Sequence, residues 1–187
     1  MKTVYHTAAS LDGFLADPDH GLDWLFQFEA DGEAALADVA RFQDGVGAIA
    51  MGASTYEWLL RHEGYTDPNA PTPWPYAQPV WVFTHRDLPV VDGADVRFVQ
   101  GDVRPVHAAM TETAAGKDLW IVGGGDLGGQ FYDAGLLDEI VVTVASVTLG
   151  SGMPLLPRRI VTPPLELVDV GRYGASFAQL TYRVPRL

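Results

Sequence analysis

The sequence predicts an α/β domain with a mixed, mainly parallel central sheet, flanking helices and an antiparallel C-terminal hairpin. Three observations carry this. Short apolar runs alternate with helix-forming segments from residue 2 to residue 149, an order that demands parallel strands covered on both faces. Two of the runs end in glycine just before a helix start, at "MGAST" (51–55) and "GGGDLG" (123–128). The last two apolar stretches meet at "YGAS" (173–176), which reads as a hairpin turn.

Each element has its own signal. Residues 2–9 form an apolar strand, and residues 10–32 an irregular stretch with turns at Asp12-Gly13, Asp17-Pro18 and His20-Gly21. Residues 33–43 contain good helix formers, with Leu36, Val39, Ala40 and Phe42 on one face. Residues 46–51 are a short buried strand; Gly52 then opens a helix capped at Ser54 or Thr55. Residues 64–79 hold Pro68, Pro71, Pro73, Pro75 and Pro79 and make a stiff connection that packs Trp74 and Tyr76 over a pocket rim. Strands follow at 80–84 and 95–100, then a helix at 103–116 ended by Gly116. A strand at 118–122, a helix near 126–134, a strand at 139–149 and hairpin strands near 165–172 and 176–184 complete the chain. No composition shift or linker divides it, so residues 1–187 form one domain.

Composition narrows the function classes. The 187 residues are 48% hydrophobic and 19% charged, ordinary for a soluble globular protein. No apolar run approaches a membrane span and the start lacks a signal-peptide layout, so a cytoplasmic location is expected. Cysteine is absent, which rules out disulfides, thiolate metal sites and a catalytic thiol; no metal is expected. A net charge of −12 without a basic patch argues against nucleic acid as a partner.

In open sheets of this kind, ligands gather at the carboxyl ends of the strands. Four ends converge there: Ala8-Ala9-Ser10, Met51-Gly52-Ala53, Phe83-Thr84-His85-Arg86 and Val122-Gly123-Gly124-Gly125. Two of them pair a glycine turn with a helix N-terminus, which offers unpaired N–H groups and about half a positive charge. Two such anion sites suit the two phosphates of a dinucleotide. The alternative is that Gly123, Gly124 and Gly125 only permit close packing of strand on helix. The pattern is not the G-x-G-x-x-G fingerprint, because its spacing and position differ.

The segments "TAASLDGFLA" (7–16), "IAMGASTYEWL" (49–59), "WVFTHR" (81–86), "WIVGGGDLGGQF" (120–131) and "GLLDEIVVTVASVTLGSGMPLL" (135–156) occur in an order that resembles the dihydrofolate reductase-like superfamily. Within it, the chain resembles the C-terminal reductase domain of the riboflavin-synthesis deaminase–reductase, and best its stand-alone relatives. The resemblance implies an NADPH-dependent reductase, usually a homodimer, with about eight strands in its sheet. It also implies a cis peptide bond at Gly123-Gly124, with Val122, Gly123 and Gly124 beside the nicotinamide and diphosphate. Gly125, Asp126 and Leu127 would face the phosphates, and Gln130 the adenosine half. Gly52, Ala53, Ser54 and Thr55 would form the second phosphate turn. There Ala53 stands where the family often has arginine, and Thr84, His85 and Arg86 would grip the 2′-phosphate. Asp126 reads first as a helix-start residue, since a carboxylate repels a diphosphate.

By the same resemblance Ala8, Leu15 and Ala16 border the nicotinamide, and Asp23 and Trp24 lie near the substrate. Trp24 would stack on a planar ring or plug the loop, and Tyr56 would reach the pocket. His6 shares a sheet face with Ala8; it and Asp23 are the candidate proton donors, with water as a third source. Asp12 reads as a loop holder through a turn with Gly13. Folate reductases carry a pocket carboxylate on the first helix; here that region falls near Leu36 and Ala37, and Asp38 reads as turned outward. Dihydrofolate is therefore not expected as the substrate. A deaminase, which needs zinc ligands including cysteine, is excluded. The expectation is hydride transfer to a C=N or C=O group of a small heterocycle, riboflavin-pathway pyrimidine or pterin-like. Two other classes stay open: a non-catalytic dimeric module holding a nucleotide or flavin, and a structural dimer joined through "VVTVASVTLG" (141–150).

Overall fold

A computed structural model describes residues 1–62 and 73–186. Pro68 and Pro71 of the proline-rich connection lie outside the described residues. The strands are β1 (Thr3–Ser10), β2 (Phe14–Ala16), β3 (Val46–Gly52), β4 (Val80–Phe83), β5 (Val96–Val99), β6 (Asp118–Gly123), β7 (Glu139–Ala145), β8 (Met153–Pro154), β9 (Glu166–Tyr173) and β10 (Phe177–Arg183). The helices are α1 (Glu29–Asp44), α2 (Ala53–His62), α3 (Val103–Ala114) and α4 (Gly125–Asp133), with a 3₁₀ helix over Asp23–Phe28 before α1.

Eight strands form one sheet in the order β5-β4-β3-β6-β1-β7-β10-β9. The pairs from β5 to β7 are parallel, and β10 runs antiparallel to both β7 and β9. This is the α/β architecture the alternation predicts, with its C-terminal hairpin at one edge. On one face, Tyr5, Ile121 and Leu119 pack with Val106 and Met110 of α3 and Leu127 and Phe131 of α4. On the other, Ile49, Met51 and Trp120 pack with Tyr56 and Leu59 of α2 and with Val39 and Phe42 of α1. Trp74 and Tyr76 join that second core, edge-on to Tyr56 and Trp120 respectively. They therefore pack on core rings, where the sequence suggested a pocket rim.

Other differences have local causes. Helix α3 stops at Ala114 because Ala115 and Gly116 both turn left-handed, at φ 50° and 91°. Helix α2 begins at Ala53, so Ser54 and Thr55 sit in its first turn and do not cap it. Asp12 does hold its loop, but across the fold: its carboxylate accepts the N–H groups of Leu149 and Gly150 and the Ser10 hydroxyl. Strand β7 ends at Ala145 and is buried between β1 and β10. Residues 141–145 thus contribute mainly to the core, with Val144 half-buried. Exposed apolar side chains lie instead on edge strand β9, at Leu167, Val168 and Val170.

Candidate functional site

The two glycine-led helix origins stand side by side. Strands β3 and β6 are neighbours, with Met51 in register with Gly123. A Cβ placed on Gly52 would lie 3.8 Å from the Gly124 nitrogen. Gly124 caps α4 without any side-chain partner, and the Gly123-Gly124 peptide is cis. The three glycines separate on steric grounds. A Cβ on Gly125 would strike the carbonyls of Pro154 and Leu155, and one on Gly123 would stand 2.9 Å from Thr55 Oγ1. A Cβ on Gly124 would meet nothing within 4 Å. Close packing accounts for Gly125; at Gly124 it explains nothing, because the rim there is open. That open notch lies between two helix origins, whose unpaired N–H groups favour an anion.

Two cavities flank the rim. The first, of about 520 Å³, runs along α2 and is lined by Ser54, Glu57, Trp58, Arg61 and His62, with His20 and Arg86 opposite. Of the strand-end triplet, Arg86 lines it and pairs with Glu57 at 2.9 Å. His85 turns to Gln100 instead, 3.1 Å from its Oε1, and Thr84 Oγ1 accepts the Arg86 backbone N–H. Arg61 and His62 carry no expectation from the sequence, and His20 reads there only as a turn residue. Their signal was present, since Ser54, Glu57, Trp58 and Arg61 recur at the three- and four-residue spacing of one helix face.

The second cavity, of about 300 Å³, lies between α1, the 3₁₀ helix and the sheet, and His6, Ala8, Trp120, Val122 and Thr143 line its sheet side. His6 and Ala8 do share this face. His6 is 3% exposed, and neither ring nitrogen has a hydrogen-bond partner. Burial lowers its pKa to about 4, against a smaller opposing pull from Asp38. At neutral pH it is an uncharged imidazole, with no extra proton to give. The role of proton donor, for which its ordinary pKa recommended it, therefore does not suit it here.

The 3₁₀ helix faces this cavity through Leu25, Phe26 and Phe28. Asp23 is exposed and Trp24 is half-buried, and neither is in the cavity wall. The segment faces the cavity through residues other than Asp23 and Trp24: with three residues per turn, Leu25 and Phe28 eclipse one another. Phe26 stacks on His62 at 5.0 Å and on Trp58 at 5.9 Å, and this stack partitions the two cavities. Tyr56 is also displaced from its expected place. It is 0% exposed, and its hydroxyl donates to the Pro89 carbonyl at 2.7 Å, because residue 56 lies on the sheet-facing side of α2 with Leu59 and Leu60. Leu15 and Ala16 belong to β2, paired with β8, and neither is in a cavity wall.

Two carboxylates are restrained by partners. Asp126 accepts from Gln130 at 2.8 Å and pairs with Arg158 at 3.1 Å. The Gln130 hydrogen bond, with Arg158 behind it, lowers its pKa. Arg158 thus offsets the repulsion expected between Asp126 and an anion at the α4 origin. Asp38 is not turned outward: it accepts from Gln179 Nε2 at 3.1 Å, and Gln179 also bonds Thr143 Oγ1 at 3.2 Å. Burial pushes the Asp38 carboxyl up, but hydrogen bonds from Tyr173, Gln179 and Arg41 outweigh it and hold its pKa low. No cluster of three or more potential metal ligands occurs among the described residues, and no helix among them is long and apolar enough to cross a membrane.

An α/β sheet of this order, with glycine-led helix origins meeting at its rim, is a reductase-type fold of the dihydrofolate reductase-like kind. The chain belongs to the RibD C-terminal domain family, whose pattern matches residues 2–178. The uncharacterized protein YwjB of Bacillus subtilis (strain 168) is 33% identical over 183 residues, 97% of each chain. A crystal structure from Shewanella sp. PV-4, named for riboflavin biosynthesis, superposes with a TM-score of 0.76 at 26% identity and covers 99% of this chain and 100% of that one. The fold recurs in the deaminase/5-amino-6-(5-phosphoribosylamino)uracil reductase of Thermotoga maritima, with a TM-score of 0.65 and 16% identity; the match covers 98% of this chain and 56% of that longer one.

Proposed function

We propose that the chain is an NADPH-dependent reductase acting on a C=N or C=O group of a small heterocycle, pyrimidine or pterin-like. The observation that carries this is the open notch at Gly124 between the origins of α2 and α4. The diphosphate would lie across these origins, held by the first-turn N–H groups of Ala53, Ser54 and Thr55 on one side and of Gly125, Asp126 and Leu127 on the other. Arg86, aided by Arg61 and Ser54, would receive the adenosine 2′-phosphate in the charged cavity, exchanging the Glu57 carboxylate for a phosphate. The nicotinamide would enter between Ala8 and Val122, at the wall of the apolar cavity.

When bound, the reduced nicotinamide supplies a hydride to the C=N or C=O carbon, the π bond breaks, and a proton from water completes the two-electron reduction. The protein orients the ring against the β1 and β6 ends and keeps bulk water from it with Leu25, Phe28 and Val39. A pairing of two chains through edge strand β9 accords with its exposed Leu167 and Val170, and a cytoplasmic location fits the composition. The test is loss of reduced-nicotinamide absorbance with uncharged pterins, pyrimidines and cyclic imines. Faster turnover with NADPH than with NADH supports the assignment. No oxidation of either across the set contradicts it.

A further inference from the structure

The wall of the apolar cavity says which rings it takes. Among the described residues lining it there is no lysine or arginine, and its charged member is Glu33, exposed on α1. Residues 63–72, "EGYTDPNAPT", contain no lysine or arginine either. Arg61 and Arg86 lie in the other cavity, beyond the stack of Phe26 on Trp58 and His62. A phosphate here would lie beside Leu25, Phe28, Leu36 and Phe177 with the Glu33 carboxylate as its charged neighbour, which is unfavourable for an anion without a cationic partner. The volume, about 300 Å³, is at the small end for ligand pockets. It suits a ring of one or two cycles better than a ring with a sugar phosphate.

The cavity also holds hydrogen-bonding capacity that the fold does not use. The His6 ring lines the cavity, but both its nitrogens are enclosed away from it, which leaves Thr143 as the polar group that faces a ligand. Thr143 Oγ1 accepts from Gln179 Nε2, itself anchored on Asp38. The Thr143 hydroxyl proton has no acceptor among the described residues, so it remains available to donate. A carbonyl or imine edge of a ligand would accept the proton of the Thr143 hydroxyl.

We infer that this cavity binds a small, uncharged, unphosphorylated ring by its carbonyl or imine edge, read by Thr143, and that a phosphoribosyl substituent weakens binding. This deepens the reductase reading and rests on it: it separates the chain's substrate from the phosphoribosylated pyrimidine named for the Thermotoga maritima enzyme. Thr143 is a contact residue in this account, and Gln179 a positioning residue that turns its hydroxyl.

The test uses three compounds on one scaffold: 5,6-diaminouracil, 5-amino-6-ribosylaminouracil and 5-amino-6-(5-phosphoribosylamino)uracil. Each is titrated calorimetrically into the full chain, free and saturated with NADP⁺ so that no turnover occurs. The bare ring is expected to bind most tightly and the phosphorylated compound at least about tenfold more weakly, a tenfold change being about 1.4 kcal/mol. Thr143→Val should weaken the bare ring about tenfold and leave NADP⁺ affinity unchanged, and Glu33→Gln should narrow the gap between the riboside and its phosphate. Tighter binding of the phosphorylated compound, or no binding of the bare ring, overturns the inference. Failure of NADP⁺ to bind overturns the reductase reading instead, and ring binding to the free chain is then judged separately.

Discussion

The two cavities at the strand ends share one aromatic partition and differ in almost everything else. The α2 cavity holds Arg61, Arg86, His20 and His62 against Asp19 and Glu57. The α1 cavity holds an uncharged His6 and Thr143 among aliphatic and aromatic side chains, with Glu33 as its one charged member among the described residues. The difference teaches how an acidic chain of net charge −12 can take a polyanionic cofactor. Arg61, Arg86 and the α2 origin stand on the side where the proposed phosphates would lie, and the neighbouring space is left to a ring. In low-dielectric surroundings a charge of either sign is costly without a partner, so the division is one of solvation as much as of shape.

The largest expected effect comes from filling the rim that joins the cavities. Gly124→Val places its Cβ in open space, so thermal unfolding should stay cooperative, while NADPH affinity should fall about 1,000-fold, about 4 kcal/mol. Wild-type affinity in a folded variant would break the comparison.

His6 gives the next effect, on the apolar side. Its pKa is lowered from 6.5 to about 4, so the unfolded chain binds the proton that the native chain excludes. The stability held by the neutral ring is complete above pH 6.5 and is lost as pH falls towards 4, by about 3 kcal/mol in all. His6→Phe should lack this loss. Denaturant midpoints of the two proteins at pH 7 and pH 4 measure it, and parallel pH profiles would contradict a desolvated imidazole.

On the charged side, Arg86→Gln should weaken NADPH about tenfold and leave NADH unchanged, since one charge-assisted contact to the extra phosphate is lost. Equal losses for both cofactors would move Arg86 away from the 2′-phosphate. Smallest of all, Asp126→Asn should change NADPH affinity less than about threefold, because Arg158 already offsets that carboxylate in the wild type. A larger gain would mean that the repulsion is not neutralised.

Much of the fold was legible because its signals are local. Alternating apolar runs gave the parallel strands, "YGAS" the hairpin, and the glycine turns the helix origins. What escaped depends on contacts distant in sequence. Strands β2 and β8 have three and two residues and exist through their pairing with each other. The 3₁₀ helix lies in a turn-rich stretch with no helical period to read. Leu36 shows the limit for the site. Its spacing marks an apolar face, which reads as core, yet it is 63% exposed and lines the cavity. Spacing identifies an apolar stripe but not whether protein or a ligand covers it. Tyr56 is the converse case: close in sequence to the glycine turn, but one helix position round and therefore in the core.

The central claim is that a dinucleotide diphosphate spans the origins of α2 and α4, and titration of NADPH into the full chain tests it most directly. Trp120 lies in the cavity wall and Trp58 in the partition, so cofactor binding should quench tryptophan fluorescence. The expected result is a saturable decrease with a dissociation constant on the order of 10 µM, within the usual range for enzyme ligands, abolished by Gly124→Val. A wild-type signal that stays linear to millimolar NADPH would contradict it.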